Sequence, residues 1–485
     1  MRAVDTVVRA QETHSPGVSL VRAPIRVGMI SLGCAKNLVD SEIMLGGIRA
    51  RGMEITNSVD DADVVVVNTC GFIDAAKEES IEAILGVHEK RLSRVQGQQK
   101  LVVSGCLSQR FSTDLAAELP EVDAFIGLDQ VATTAEIIER LFENNEVVAG
   151  PLNLVEGRSR FLPDFDTPRF RLTPSHFAYV KIAEGCNHPC SFCVIPQMRG
   201  KHRSRGIASV EEEVRRLVGE GVKEINLISQ DTTYYGMDLW AEKAGPRQPV
   251  DSVRGPTLIR LLDRLASIEG EFWIRLLYTH PAHWSTELMD AVAANPRVAK
   301  YLDMPLQHID ERVLQLMRRE TSRQHIEDLV LEMRARIPGV YLRTTFIVGF
   351  PGETEEQFEV LLDFIERTRF ERLGVFQYSR EEGSRAGKMP NQISKAAKQK
   401  RYRRAMELQQ RIAVEWSESQ VGLVKKVLVE QPLVARSEGD APDVDPRVLL
   451  DRPLPVGGFA NVRVTGTQVY DLRATPVATH AEPRG

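Results

Sequence analysis

At 485 residues and 54.3 kDa the chain is long for one hydrophobic core and suits two to four domains. Its 42% hydrophobic and 27% charged residues include no apolar run near the ~20 residues of a bilayer span, which excludes a helical membrane protein and makes the cytoplasm the expected address. A net charge of −5 disfavours non-specific nucleic-acid binding by the chain as a whole, and six cysteines without a secretory signal point to metal or redox chemistry rather than disulfides.

In chain order, residues 1–24 lack the apolar core of a signal sequence and are expected to form a disordered tail. The runs IRVGMISLGC, ADVVVVNTC and KLVVSGC then each read as a short buried strand ending in a cysteine. Helical stretches, DSEIMLGGIRARG and DAAKEESIEAILGVHEKRL, lie between them, so residues 25–140 are expected to fold as a parallel α/β domain. Ligands of such sheets gather at the carboxyl ends of the strands, and Cys34, Cys70 and Cys106 are expected to converge there.

Residues 150–172 are rich in Pro and Asp without periodicity and read as a linker. A second unit over 172–410 offers six strand candidates, FAYVKIAEGC, EINLISQD, FWIRLLYTH, KYLDMPLQH, YLRTTFIVGFPGE and GVFQYSR, most of them separated by helical stretches. The repeated βα unit predicts a partial or complete barrel. Gln230, Asp231, His280, Gln307, His308 and the loop Gly349 to Glu353 fall just past strand ends, where barrel active sites form. A helix, KAAKQKRYRRAMELQQRIAVEWSESQ, leads to a small all-β module over 411–480.

The stretch EGCNHPCSFCVIPQMRG holds Cys186, Cys190 and Cys193. Zinc prefers four ligands, and here only His188 or His202 could complete such a site. An iron–sulfur cubane held by three thiolates instead keeps one iron open to bind something else. Converging Cys34, Cys70 and Cys106 would do the same, so six cysteines become two clusters with none left over.

The spacing Cys186, Cys190, Phe192, Cys193 resembles the radical S-adenosylmethionine superfamily. That resemblance implies an open iron that chelates the amino and carboxylate groups of S-adenosylmethionine, and reductive cleavage to a 5′-deoxyadenosyl radical. Together with SLGCAKNLVDSE, NTCGFIDAAKEES, SGCLSQR and RGKHRSR, the chain resembles the methylthiotransferase family over roughly residues 25–478. The resemblance implies a methylthiotransferase domain, a radical core and a C-terminal antiparallel β barrel called TRAM. It also implies two 4Fe-4S clusters, an auxiliary one on Cys34, Cys70 and Cys106 and a radical one on Cys186, Cys190 and Cys193. No catalytic side chain beyond these cysteines is assigned. One S-adenosylmethionine supplies the methyl group and a second the radical, so that sulfur from the auxiliary site is transferred to an unactivated carbon.

Two branches of the family differ in substrate. The tRNA adenosine branch typically shows Gln-Met-Asn after its first cysteine, where this chain has Ala35, Lys36 and Asn37. Gly71, Phe72 and Ile73 likewise resemble the branch that modifies the β-carbon of an aspartate of small-subunit ribosomal protein uS12. Its partners would be uS12, a reductant protein and a sulfur donor, with tRNA disfavoured and no membrane involved. The stretch ARSEGDAPDVDPRVLLD, with Glu438, Asp440, Asp443, Asp445 and Asp451, is expected to form an acidic surface that suits a basic partner, although Lys425 and Lys426 are close by. KHRSR, Lys201 to Arg205, reads equally as a solvated basic loop or a motif near the active site. His280 and His308 read equally as structural or catalytic; the Gly349–Glu353 loop reads as a plain turn or, as the superfamily resemblance implies, a loop along the adenosyl group, where Gln230 and Gln307 would also touch S-adenosylmethionine.

Overall fold

Four consecutive valines, Val64 to Val67, suit a strand covered on both faces, because β-branched side chains fill a pleated surface that never meets water. In a computed structural model, which describes residues 23–94, 98–143 and 150–477, they form β3 (Val64–Thr69), buried along its whole length. β3 pairs in parallel with β1 (Arg26–Ser31) and β4 (Lys100–Gly105). With β2 (Glu54–Thr56), β5 (Ala124–Phe125) and β6 (Leu152–Asn153) the sheet runs β2-β1-β3-β4-β5-β6. Helix α1 (Ala35–Ala50) follows β1, α2 (Asp74–Leu92) follows β3, α3 (Cys106–Glu118) follows β4, and α4 (Thr134–Glu143) precedes β6. The strand order reverses between β1 and β3, and the crevice outside their carboxyl ends is where such sheets bind ligands.

The expected linker is instead anchored. Leu152–Asn153 supplies the edge strand of this sheet, and further on Arg169 reaches Glu42 of α1 and Glu213 of the next domain, the latter at 2.7 Å. Glu42 is fully buried, so the passing chain supplies its donors: the Leu172 N–H donates to Glu42 at 2.7 Å. Except for its last two residues, the tail expected over 1–24 lies outside the described residues.

The second unit opens with β7 (Phe177–Lys181) and the antiparallel pair β8 (Ala183–Glu184) and β9 (Arg203–Ser204). It continues through β10 (Glu224–Ile228), β11 (Trp273–Leu276), β12 (Val298–Asp303), β13 (Tyr341–Val348) and β14 (Arg372–Gln377). The six long strands pair in parallel in the order β14-β13-β12-β11-β10-β7, an open, partial barrel. Its outer helices are amphipathic: in Leu258–Ala266 the buried positions Leu258, Leu261, Leu262 and Leu265 fall on one face, and the Thr257 side chain caps the first turn.

The linking helix Lys395–Ser419 leads to β15 (Val424–Gln431), β16 (Val434–Ser437), β17 (Val448–Leu450), β18 (Phe459–Gln468) and β19 (Asp471–Pro476), which close into a barrel in the order β15-β16-β17-β19-β18. Its pairings are antiparallel except that β17 and β19 run parallel. The acidic stretch is only partly a free surface. Between β16 and β17 it enters the amino-terminal end of the partial barrel, where Asp440 pairs with Arg372 at 2.6 Å, Asp445 accepts from Tyr301 at 2.6 Å and the Glu438 carbonyl accepts from Arg275 at 2.6 Å. Arginines of the barrel strands take up two of its five carboxylates, Asp440 and Asp445, while Asp443 and Asp451 stay exposed. Among the described residues no helix is long and apolar enough to cross a membrane.

Candidate functional site

Parallel pairing places three cysteines side by side. Asn68 of β3 is in register with Ser31 of β1 and Ser104 of β4, so Cys34, Cys70 and Cys106 leave the same edge of the sheet. Cys34 is the N-cap of α1 and Cys106 the first residue of α3. Gly33 makes the approach possible: it sits at φ 93°, and a Cβ there would lie 2.9 Å from Cys70 Cβ and 3.2 Å from its sulfur. Gly33→Ala is therefore expected to lose iron at this triad and to cost about 1–3 kcal/mol of stability, as read by iron content and the midpoint of thermal unfolding.

The three thiols feel one another. Burial pushes Cys70 up to about 12, and charge on Cys106 and Cys34 pushes the same way. Cys34 is also buried, but Lys36, Arg199 and the N–H groups of Asn37 and Lys36 hold it below the ordinary thiol range. Arg199 donates to the Cys106 sulfur at 3.5 Å. Thiolates gathered this closely repel each other and need a cationic centre.

The second triad lies in the loop after β8, at the carboxyl end of the partial barrel. Burial pushes Cys193 up to about 12, with Cys190 adding to the shift, and the Ile195 N–H donates to its sulfur at 3.4 Å. Arg319 donates to the Cys190 sulfur at 3.6 Å and to the Pro305 carbonyl at 2.8 Å. All six cysteines are free thiols.

Spacing bears on the metal. Around a tetrahedral zinc with Zn–S near 2.3 Å, sulfurs stand only ~3.8 Å apart. Among the described residues, His188, His280 and His283 bring their donor atoms within 4.8 Å of one another. His188 and His280 stack with centroids 3.6 Å apart at 12°, and the Nε2 atoms of His188 and His283 lie 3.2 Å apart. His188 bridges Asp231 at 2.7 Å and Glu320 at 3.2 Å; against burial, these bonds and the Asp231 charge raise it to about 10. A cationic His188 thus ties the cysteine loop to the segments that follow β10 and β12.

The two triads are joined by a buried charge network. Asp40 of α1 accepts from Lys181 of β7 at 2.5 Å and from Arg199 at 2.9 Å, while Glu184 pairs with Lys181 at 2.5 Å and Arg199 at 2.8 Å. Burial opposes the charge of Glu184, but Arg199 and Lys181 hold its carboxyl down to about 2. Of the RGKHRSR motif, Arg199 and Arg205 are buried and ion-paired, which excludes a solvated loop at those two positions. Arg319, Lys181 and Asp40 carry no signal in sequence, because single charged residues far apart in the chain have no period.

Other expected residues divide. Gln230 donates to Glu184 at 3.1 Å and so belongs to the network. Gln307 adopts φ 73° beyond β12 and bridges to Phe346. In the Gly349–Glu353 loop the Glu353 carboxylate folds back to accept from the Gly349 N–H at 2.7 Å and pairs with Arg401 of the linking helix at 2.9 Å. His308 is fully buried, accepts from the Asp310 N–H at 3.0 Å and lies 3.9 Å from Glu353, an environment that fits a structural histidine.

Three stretches of the chain match family models: residues 26–127 the one described as Uncharacterized protein family UPF0004, residues 180–365 the radical SAM superfamily, and residues 421–477 the TRAM domain. Among solved structures, the radical S-adenosylmethionine methyltransferase TsrM from Kitasatospora setae aligns with TM-score 0.52 and 14% identity, covering 75% of this chain and 74% of that one, which is a likeness of fold. Fold, paired triads and domain matches together define a radical S-adenosylmethionine enzyme of the methylthiotransferase class. Similarity narrows this further: the chain is 60% identical over 455 residues to a protein of Opitutus terrae named ribosomal protein uS12 methylthiotransferase RimO, covering 93% of this chain and 97% of that one. A relative of the same name from Akkermansia muciniphila is 53% identical over 453 residues, covering 93% of this chain and all of the other. The chain belongs to the RimO family.

Proposed function

We propose that this protein methylthiolates the β-carbon of an aspartate of ribosomal protein uS12, with Cys34, Cys70 and Cys106 holding an auxiliary 4Fe-4S cluster and Cys186, Cys190 and Cys193 holding the cluster that binds S-adenosylmethionine. The observation that carries this reading is the presence of two separate thiol triads, each at the carboxyl ends of a parallel sheet, in a chain whose relatives bear that name. When bound, the clusters and S-adenosylmethionine supply the electron, the radical, the methyl group and the sulfur.

The protein's own groups do the rest. Arg319 and the Ile195 N–H donate to sulfurs of one triad, and Arg199 to a sulfur of the other. Such donors withdraw charge from thiolates and make the sites easier to reduce. His188, locked between Asp231 and Glu320, fixes the shape of the cysteine loop, and the Asp40–Arg199–Glu184–Lys181 network holds the two sites in register. Each product removes a sulfur atom and each cleavage consumes an electron, so the reaction calls for a sulfur donor and a reductant protein.

The test is mass spectrometry of uS12 from cells with and without this protein. An added methylthio group on an aspartate that disappears with the gene is expected. Unchanged uS12 together with loss of a methylthio group from tRNA adenosine would transfer the assignment to the tRNA branch.

A further inference from the structure

The chain between β14, the edge strand of the partial barrel, and the linking helix carries Glu381, which is only 2% exposed. Its Oε2 pairs with Lys77 at 3.0 Å and with Arg110 at 2.8 Å, and its Oε1 accepts from the Ser379 hydroxyl at 2.6 Å. Lys77 and Arg110 belong to α2 and α3, the helices that follow Cys70 and start at Cys106. Ser379 also accepts from the N–H of Asp74, the first residue of α2, at 3.3 Å. Arg110 donates further to the Gly71 carbonyl at 2.8 Å and to the Glu382 carbonyl at 2.5 Å. One buried carboxylate thus gathers both helices of the N-terminal triad.

The far side of the same loop holds the radical triad. The Ala386 N–H donates at 2.8 Å to the carbonyl of Ser191, which lies between Cys190 and Cys193. Gln197, in the short helix Ile195–Met198 that follows Cys193, donates to the Gly383 carbonyl at 2.9 Å. Between its two ends the loop is bonded to itself: the Ser384 hydroxyl donates to the Glu381 carbonyl at 2.7 Å and accepts from the Gly387 N–H at 3.0 Å. Locked in this way, residues 379–387 transmit a position from one cysteine site to the other. The Asp40 network does so through α1 and β7, at the opposite edge of the open sheet.

We propose that Glu381 is a positioning residue: by pinning loop 379–387 to α2 and α3 it fixes the separation of the two triads, and so sets how often a radical formed at one leads to sulfur transfer at the other. This rests on the functional reading given above. Reacting atoms must come within about 3–3.5 Å, and a misplacement of about 1 Å costs on the order of 10²-fold. Cleavage of S-adenosylmethionine uses the barrel's triad alone and does not depend on that separation.

The test is the ratio of 5′-deoxyadenosine to methylthio product in cluster-loaded protein given uS12. Glu381→Gln keeps the size of the side chain and removes the charge that faces Lys77 and Arg110; its ratio is expected to rise about tenfold, short of the full cost of a misplacement of about 1 Å. Glu381→Asp, which keeps the charge on a shorter stem, regains part of the coupling. In the protein without clusters, Glu381→Gln is expected to speed amide hydrogen exchange in residues 71–80 and 379–389 about tenfold, the scale of one lost hydrogen bond to a charged group, and to leave β10 as in the wild type. A fall of both products that leaves the ratio unchanged overturns the proposal, and so does exchange that is unchanged in those segments or faster in β10 as well. If Glu381→Gln loses iron, Lys77→Met decides by the same two readings; loss of iron in both shows that the contact serves folding, and also overturns it. A wild type that leaves uS12 unmodified overturns the functional reading, and this proposal with it.

Discussion

Replacing Cys190 by alanine is expected to leave a folded protein with about half its iron and no detectable cleavage of S-adenosylmethionine, a fall of at least ~10³-fold. Two thiolates cannot hold a cubane in the geometry that leaves one iron open, and chemistry that belongs to a cofactor vanishes with its ligation. Cys70→Ala should give the opposite pattern. The partial barrel and its triad stay intact, so 5′-deoxyadenosine still forms, but no methylthio group reaches uS12. Iron per chain, 5′-deoxyadenosine by chromatography and product by mass spectrometry separate the two variants. Persistent cleavage in Cys190→Ala would remove the cysteine loop from the radical chemistry, and full methylthiolation by Cys70→Ala would remove the N-terminal triad from sulfur transfer.

The convergence of the N-terminal cysteines is legible because strand-end cysteines are a pattern of the sequence itself. Apolar runs such as Val64 to Val67 can only be strands covered on both faces, and three such runs closing on Cys34, Cys70 and Cys106 converge once the strands pair in parallel. The six barrel strands were legible for the same reason. The acidic loop was not: its local charge is visible in the chain, but Arg275, Arg372 and Arg343, which meet it, come from strands far away in sequence. The segment read as a linker failed similarly, since the demand for it is made by Glu42, buried on another domain. The two-residue strands β8 and β9, which set the angle at which the cysteine loop leaves the barrel, are too short for any periodicity to register.

The junction between the two triads makes the second large prediction. Asp40 is 2% exposed and sits between two cations, Lys181 and Arg199, with Glu184 as the only other acid among the described residues bonded to that pair. Asp40→Ala leaves two buried positive charges to one carboxylate and is expected to destabilise the protein by about 3–5 kcal/mol, the usual cost of breaking a buried pair from one side. The surplus charge is adjustable from the other side. Adding Lys181→Met restores one cation to one anion, Arg199 with Glu184, and should recover much of the loss, so the double variant is more stable than the sum of the singles by at least ~1 kcal/mol. Arg199 also donates to Cys106, so the single variant is expected to lose iron from the N-terminal triad as well, and the double variant to regain part of it. Strict additivity in denaturant unfolding, with unchanged iron in Asp40→Ala, would mean that the network neither couples these charges nor holds the two sites together.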